Sequence, residues 1–320
     1  MPGIRMPAVH RALPSGSQSS NPWRLTTCCP DARHYTFSAM KAEVCRILLW
    51  LVLSVVATAC RTLPPVSTPL PLPTSTWTVS PTFTPAPTRT PLPPDTGWQP
   101  VRSGVEIRSI DIAAGQSTER VTVARLDPNQ VVFRVSYTPG IGYPVSGWAQ
   151  QQGALLVVNG GYFTSENVAI GLTISGGVSY GVSYGDYAGM FAVTPADRVS
   201  VRWLRAWPYD PAEGLRDAVQ GFPVLVRPGG EMGFPADSDD GSASRRTVVA
   251  QDRSGRILLL IAPRGFLSLR QMAVWLAGSD LDVDTALNLD GGTSSGFWMV
   301  DGPQIDSMVS VPVVIGVFAR

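Results

Sequence analysis

Along the last two thirds of the chain, apolar and polar positions alternate or gather in short runs bounded by Gly, Pro, Asn, Asp and Ser, the pattern of strands separated by turns. Three segments open this region: VEIRSIDI from Val105, ERVTVARLD from Glu119 and VVFRVSYT from Val131, each alternating or β-branched. A short helix is expected after Pro144, with Ser146 as N-cap and Trp148 to Gln152 in its body. It leads into the buried strand ALLVV, which ends in Asn159-Gly160-Gly161-Tyr162-Phe163. Farther on, GFPVLV reads as a central strand, and TVVAQ and RILLLIA as a hairpin closed by Asp252-Arg253-Ser254-Gly255. Ser268 caps a second helix in which Leu269, Met272, Ala273 and Leu276 recur at helical spacing, and Gly278 stops it. The strand TALNLDGG follows, and VPVVIGVFA closes the chain. These elements predict an α+β fold over residues 99–320: a mixed, largely antiparallel twisted sheet with a few packing helices, in a single domain large enough for a well-buried core.

The first third is patterned differently. From Met40 the chain has a positive start (Lys41, Arg46), an apolar run from Ile47 to Val56, and the small residues Ala57, Thr58 and Ala59 before Cys60. This is the layout of a secretory signal over residues 40–60; the apolar run falls short of the roughly 20 residues that a membrane span needs. Its ending resembles the lipobox of bacterial lipoproteins, in which the cysteine is lipidated and becomes the new N-terminus. Residues 1–39 show no periodicity and read as non-native translation upstream of Met40 or as disorder. Residues 61–98 are dominated by Pro, Thr and Ser, a composition that favours extended, polyproline-like chain. At about 3.1 Å per residue such a linker reaches on the order of 100 Å. The expected location is the extracellular face of the cell membrane, held through the lipid on Cys60.

Composition narrows the chemistry. After Cys60 the chain has no Cys, no His and no Lys. Disulfides, thiol nucleophiles, Ser-His-Asp triads, Schiff-base lysines and zinc sites with His or Cys ligands are thereby excluded from the domain. Residues 101–320 hold 17 Arg against 21 Asp and Glu, a net charge of −4, so nucleic acid is not an expected partner. The acidic loop Asp237 to Gly241 holds a fragment of a calcium-loop pattern but lacks its later ligands. Neither a metal nor a cofactor is expected.

Two stretches echo each other: LLVVNGGYF and LNLDGGTSSGFWM, apolar strands that each end in a polar residue, two glycines and aromatics. The second also fits a hairpin turn, since Asp-Gly and Gly-Gly are strong turn signals. Read as paired strand ends, they present Asn159 and Asp290 to one cleft. Asp290 is the candidate catalytic carboxylate, and Asn288, two residues earlier, faces the same side. Gly291, Gly292, Ser294 and Ser295 supply hydroxyls and backbone N–H groups for an oxyanion or phosphate oxygen. Arg246 opens the strand RTVVAQD, where a guanidinium suits bidentate binding of phosphate or carboxylate; Arg245 points the other way if the strand extends that far.

The order NGGYF, QGFPVLVRPGG, RRTVVAQDRSGRILLLIA, a helix, then ALNLDGGTSSG resembles the phosphodiester glycosidase family over roughly residues 101–320. Many members have a Gly-Gly-Gly-Pro run where this chain has Gln220-Gly221-Phe222-Pro223, and a third glycine where it has Thr293; these departures bear on substrate specificity rather than fold. The resemblance implies cleavage of a sugar from a phosphodiester, with a phosphodiester-linked sugar or glycan polymer as partner. Asp290 and Arg246 would be the catalytic pair, with Asn159, Gly160, Gly161, Tyr162, Phe163, Asn288, Gly291, Gly292, Ser294 and Ser295 around the substrate. Asn159 and Asn288 would hydrogen-bond sugar hydroxyls, and Tyr162 or Phe163 would stack on a sugar face. A second carboxylate could be Glu166, Asp186 or Asp301. A non-catalytic lipoprotein that binds glycans or wall polymers through the same cleft is the alternative.

Overall fold

The computed structural model describes residues 92–320; the expected signal, the lipidated Cys60 and most of the linker lie outside them. Three sheets carry the fold. The largest has eight strands in the spatial order Gln99–Arg102, Val105–Ala114, Ser117–Leu126, Ile257–Ala262, Arg246–Asp252, Val283–Asn288, Val224–Arg227 and Glu231–Met232. A second, five-stranded sheet runs Val178–Tyr180, Thr173–Ser175, Asp217–Gly221, Gly189–Val193, Val199–Trp203. The third, also five-stranded, runs Gln304–Ile305, Phe297–Met299, Leu156–Asn159, Val313–Ala319, Val131–Tyr137. All ladders between these strands are antiparallel, as the short turns between most of them require. Two helices pack outside, α1 (Val145–Gln152) and α2 (Leu269–Gly278). The expected sheet-rich α+β architecture is therefore the observed one.

The alternation of each strand decides its partners. In the central hairpin and the strand Val283–Asn288 beside it, Val249, Leu259, Ile261 and Leu287 point to one face and meet Phe191, Val201 and Val219 of the second sheet and Phe133, Val158, Phe297 and Ile315 of the third, so three sheets share one core. Their neighbours Val248, Ala250, Leu258, Leu260 and Ala286 point to the other face and are covered by Met272, Ala273 and Leu276 of α2. Strands buried on both faces read as continuous apolar runs, which is what TVVAQ and RILLLIA show.

Local expectations hold in part. Ser268 caps α2 through a capping box with Gln271, and α2 ends one residue beyond expectation, with Ser279 as its C-cap. Ser146 is not a cap: α1 begins one residue earlier, after Pro144, and the Ser146 hydroxyl and N–H both donate to the Asp306 carboxylate, at 2.5 and 3.0 Å. The stretch GFPVLV does not form one strand; its first residue ends Asp217–Gly221 in the second sheet, and Val224–Arg227 belongs to the first. Pro223, which has no N–H for a ladder, sits at the crossing.

Candidate active site

Three strand ends, one from each sheet, meet at a corner built on glycine. Asp290 donates its N–H to Gly160 O at 3.0 Å, joining the first and third sheets. A Cβ on Gly161 would lie 2.7 Å from Gln220 O, and one on Gly221 would lie 2.6 Å from Asn288 O. Backbone thus touches backbone where any larger residue would force the sheets apart. The two Gly-Gly strand ends do meet, but Asn159 is not presented with Asp290 to a cleft.

The register of the first sheet puts Arg246 beside Asp290. Asn288 pairs with Val248 and Leu287 with Val249, and Leu289 N–H continues the ladder to Thr247 O at 2.9 Å. Continued past its last pair, this register would set Arg246 opposite Asp290 on the face that carries Asn288, but Asp290 N–H has already left the ladder for Gly160 O. After Asp290 the chain turns away: Gly292, at φ +63°, donates to Arg245 O at 2.9 Å and opens a short 3₁₀ turn, Gly292–Ser294. Gly291 separates the two charged side chains, because its N–H donates to Asp290 Oδ1 at 2.9 Å and a Cβ on it would lie 3.8 Å from Arg246 Nη1. The two charges flank this glycine without forming an ion pair among the described residues, so neither neutralises the other.

Burial raises the pKa of Asp290 above the ordinary carboxylate range, opposed by hydrogen bonds from Ser294 and from Gly291 N–H. Burial lowers that of Arg246, opposed by Tyr162, Asp239 and Asp240; an arginine so perturbed remains charged at neutral pH. Its Nη2 donates to Ser242 O at 2.7 Å, which points the guanidinium along the 239–244 loop. The Tyr162 hydroxyl donates to Phe222 O at 2.7 Å and accepts from Asn288 Nδ2 at 3.1 Å. Its pKa is raised, first by burial and then by the Asp290 charge, while Arg246 acts in the opposite sense; one phenol therefore senses both charged groups.

Several aromatic rings complete one wall. Phe222 lies 4.6 Å from Tyr162, 5.2 Å from Tyr184 and 5.9 Å from Tyr187 between ring centroids. The Tyr184 hydroxyl is pushed up to about 12 by burial, Tyr187 and Asp290. Gln220 fixes this wall: its Oε1 accepts from Tyr184 N–H at 2.7 Å and its Nε2 donates to Ser183 Oγ at 2.9 Å. Arg246 Nε, Asn288 Oδ1 and Tyr184 Oη are buried with no hydrogen bond, three of the six such side-chain atoms among the described residues. Unpaired buried polar atoms cost about 1–3 kcal/mol each, and their concentration in one place marks a site kept for something other than stability. The sequence-derived residues omitted Gln220, Phe222, Tyr184 and Tyr187; the tyrosine-rich segment YGVSYGDY was the available signal.

Four expectations are corrected by this geometry. Asn159 is 1% exposed and cannot reach a sugar; its Oδ1 accepts from Thr247 Oγ1 at 2.7 Å and Gly296 N–H at 3.0 Å, and its Nδ2 donates to Asp290 O at 2.7 Å. It is the clamp that holds the Asp290 corner. Phe163 packs with Val157 and Trp148 beneath α1, because successive residues of extended chain point to opposite sides and Tyr162 takes the site side. The backbone N–H groups of Gly291, Gly292, Ser294 and Ser295 are spent on Asp290 Oδ1, Arg245 O, Gly291 O and Gly292 O, which leaves Arg246 as the group of the corner suited to an anion. Finally, none of the three candidate second carboxylates adjoins Asp290: Asp186 pairs with Arg205 at 2.9 Å, Asp301 with Arg102 at 2.9 Å, and Glu166 is held by Ser165 in an exposed loop. Arg245 does turn away, donating to Ser295 O and Asp306 O at 2.7 and 3.0 Å.

Comparison with known proteins bears on the fold and the family. No curated protein matches the chain. Among solved structures, the fold is similar to the zebrafish N-acetylglucosamine-1-phosphodiester alpha-N-acetylglucosaminidase catalytic domain auto-inhibited by its pro-peptide, with a TM-score of 0.53 at 19% identity over 68% of this chain and 83% of that one. It is also similar to a hypothetical protein from Synechocystis, with a TM-score of 0.51 at 18% identity over 71% of this chain and 64% of that one. The family model for phosphodiester glycosidase matches residues 152–318, a span that contains the glycine corner, Arg246 and Asp290, and the chain belongs to that family.

Proposed function

We propose that the chain is a hydrolase that releases a sugar from a phosphodiester by breaking the bond between the anomeric carbon and the phosphate oxygen. The observation that carries this reading is that Asp290 and Arg246 lie on either side of Gly291, with the Tyr162 phenol sensing both charges. In the proposed reaction, water oxygen joins the anomeric carbon, its proton passes to Asp290, and the phosphate monoester departs with the bonding electrons. A phosphate monoester has a second pKa of about 6, so this leaving group hardly needs a general acid. That suits a domain without histidine. Arg246 neutralises the charge that develops on the departing phosphate, and the raised pKa of Asp290 strengthens it as a base. Tyr162, Tyr184 and Phe222 offer ring faces to the sugar, while Asn288, 2% exposed, holds Tyr162 and Phe222 in place and does not reach the sugar as the sequence suggests.

The lipoprotein-like signal ending at Cys60 and the Pro/Thr/Ser-rich linker support action at the extracellular face of the membrane, on cell-surface or extracellular glycans. The test is hydrolysis of a chromogenic sugar phosphodiester by wild type, Asp290→Ala and Arg246→Ala. Turnover by wild type with losses of at least about 100-fold in each variant is expected. Tight glycan binding without turnover on several such substrates would instead favour a binding protein.

A further inference from the structure

Beyond the aromatic wall lies a second group of side chains that the proposed reaction does not use. Arg227 and Arg205 both approach Trp203, with guanidinium carbons 4.9 and 5.5 Å from its ring centroid. All three line a cavity of about 230 Å³ together with Tyr187, Phe222 and Phe234. Phe222 and Tyr187 are thus shared: they belong to the wall beside Asp290 and to the wall of this cavity. The volume lies below the roughly 300 Å³ at which pockets for drug-sized ligands begin, so the space suits one small group.

The electrostatics favour an anion. Arg227, at the end of strand Val224–Arg227, has no ion-pair partner among the described residues, and its Nη2 makes only a long 3.4 Å contact with Gly233 O. Arg205 is paired with Asp186 at 2.9 Å, but the two side chains are 57% and 62% exposed. Such an exposed pair contributes little, so an incoming dianion displaces it easily. Contact with an indole restrains both guanidiniums before any ligand arrives, which lessens the entropy lost on binding. Their planar forks match phosphate oxygens.

We propose that this cavity is a second phosphate subsite, and that the substrate is a sugar whose scissile phosphodiester lies at Arg246 while a further phosphate on the same sugar lies between Arg205 and Arg227. Such a unit repeats in a polymer of sugars joined through phosphodiesters, which is the substrate class this geometry selects. The inference rests on the reading of Arg246 and Asp290 given above.

Titration calorimetry of the full chain with glucose 1-phosphate and with glucose 1,6-bisphosphate tests it. The bisphosphate should bind at least about tenfold more tightly. Arg205→Gln combined with Arg227→Gln should remove that advantage and leave glucose 1-phosphate affinity unchanged, whereas Arg246→Ala should weaken both ligands. Equal affinity of wild type for the two ligands would overturn the second subsite and leave the first reading standing. Failure of both to bind would overturn the two together.

Discussion

Asn159→Ala separates a clamp from a substrate contact. The wild-type amide is 1% exposed and serves three groups: the Thr247 hydroxyl, Gly296 N–H and Asp290 carbonyl, at 2.7, 3.0 and 2.7 Å. Truncation leaves all three unpaired in a buried corner, and a buried polar group left without its partner costs about 1–3 kcal/mol. Allowing for partial relaxation, the expected loss is about 4 kcal/mol, near the upper end for a point substitution. In a domain of this size that lowers the midpoint of thermal unfolding by about 10 °C. Asn159→Asp keeps both acceptor contacts but faces the Asp290 carbonyl with a carboxylate, so it should fall between wild type and Ala. Denaturant unfolding followed by tryptophan fluorescence, at constant m-value, reads the difference. A loss below about 1 kcal/mol, accompanied by a raised KM, would refute the clamp and restore Asn159 to the substrate.

Further outcomes follow from the same corner. Asp290 has a folded pKa raised above its unfolded value, so its contribution to stability is present below the unfolded pKa and is lost as pH rises through the folded one. Asp290→Asn should therefore unfold at or above the wild-type temperature at pH 7 while losing hydrolysis; a clear drop in stability would contradict burial as the cause. The acidic limb of the kcat/KM profile should lie above the ordinary aspartate value of about 3.9, and Ser294→Ala, which removes a hydrogen bond that lowers this pKa, should move the limb higher still. A limb that does not move would mean that Ser294 leaves the ionisation of Asp290 untouched. Gly161→Ala places a Cβ 2.7 Å from Gln220 O and should cost about 1–3 kcal/mol, measurable by calorimetry; a neutral result would show that the sheets at this corner have slack.

How far the sequence reveals this molecule depends on which forces act locally. Strand periodicity locates the hairpin of Arg246–Asp252 and Ile257–Ala262, because residues buried on both faces leave the apolar runs VVA and ILLLIA. The register of Arg246–Asp252 against Val283–Asn288 then brings Arg246 to the same corner as Asp290, on the far side of Gly291. The second sheet is harder to read: Thr173–Ser175 and Val178–Tyr180 have three residues each, too few for a period to show. Ser146 looked like a cap because its partner Asp306 is remote in sequence. Asn159 looked like a ligand for the same reason: all three of its partners lie across the fold. The aromatic wall needs Gln220, Phe222 and the Tyr184 loop to converge from separate segments.

The bond that breaks is the most direct measure of the account. Hydrolysis of an N-acetylglucosamine 1-phosphodiester in oxygen-18 water, followed by phosphorus NMR, reports where the water oxygen goes. Attack at the anomeric carbon predicts a phosphate monoester whose resonance shows no isotope shift. A shifted, labelled phosphate would mean attack at phosphorus, and would contradict a glycosidase built on Arg246 and Asp290.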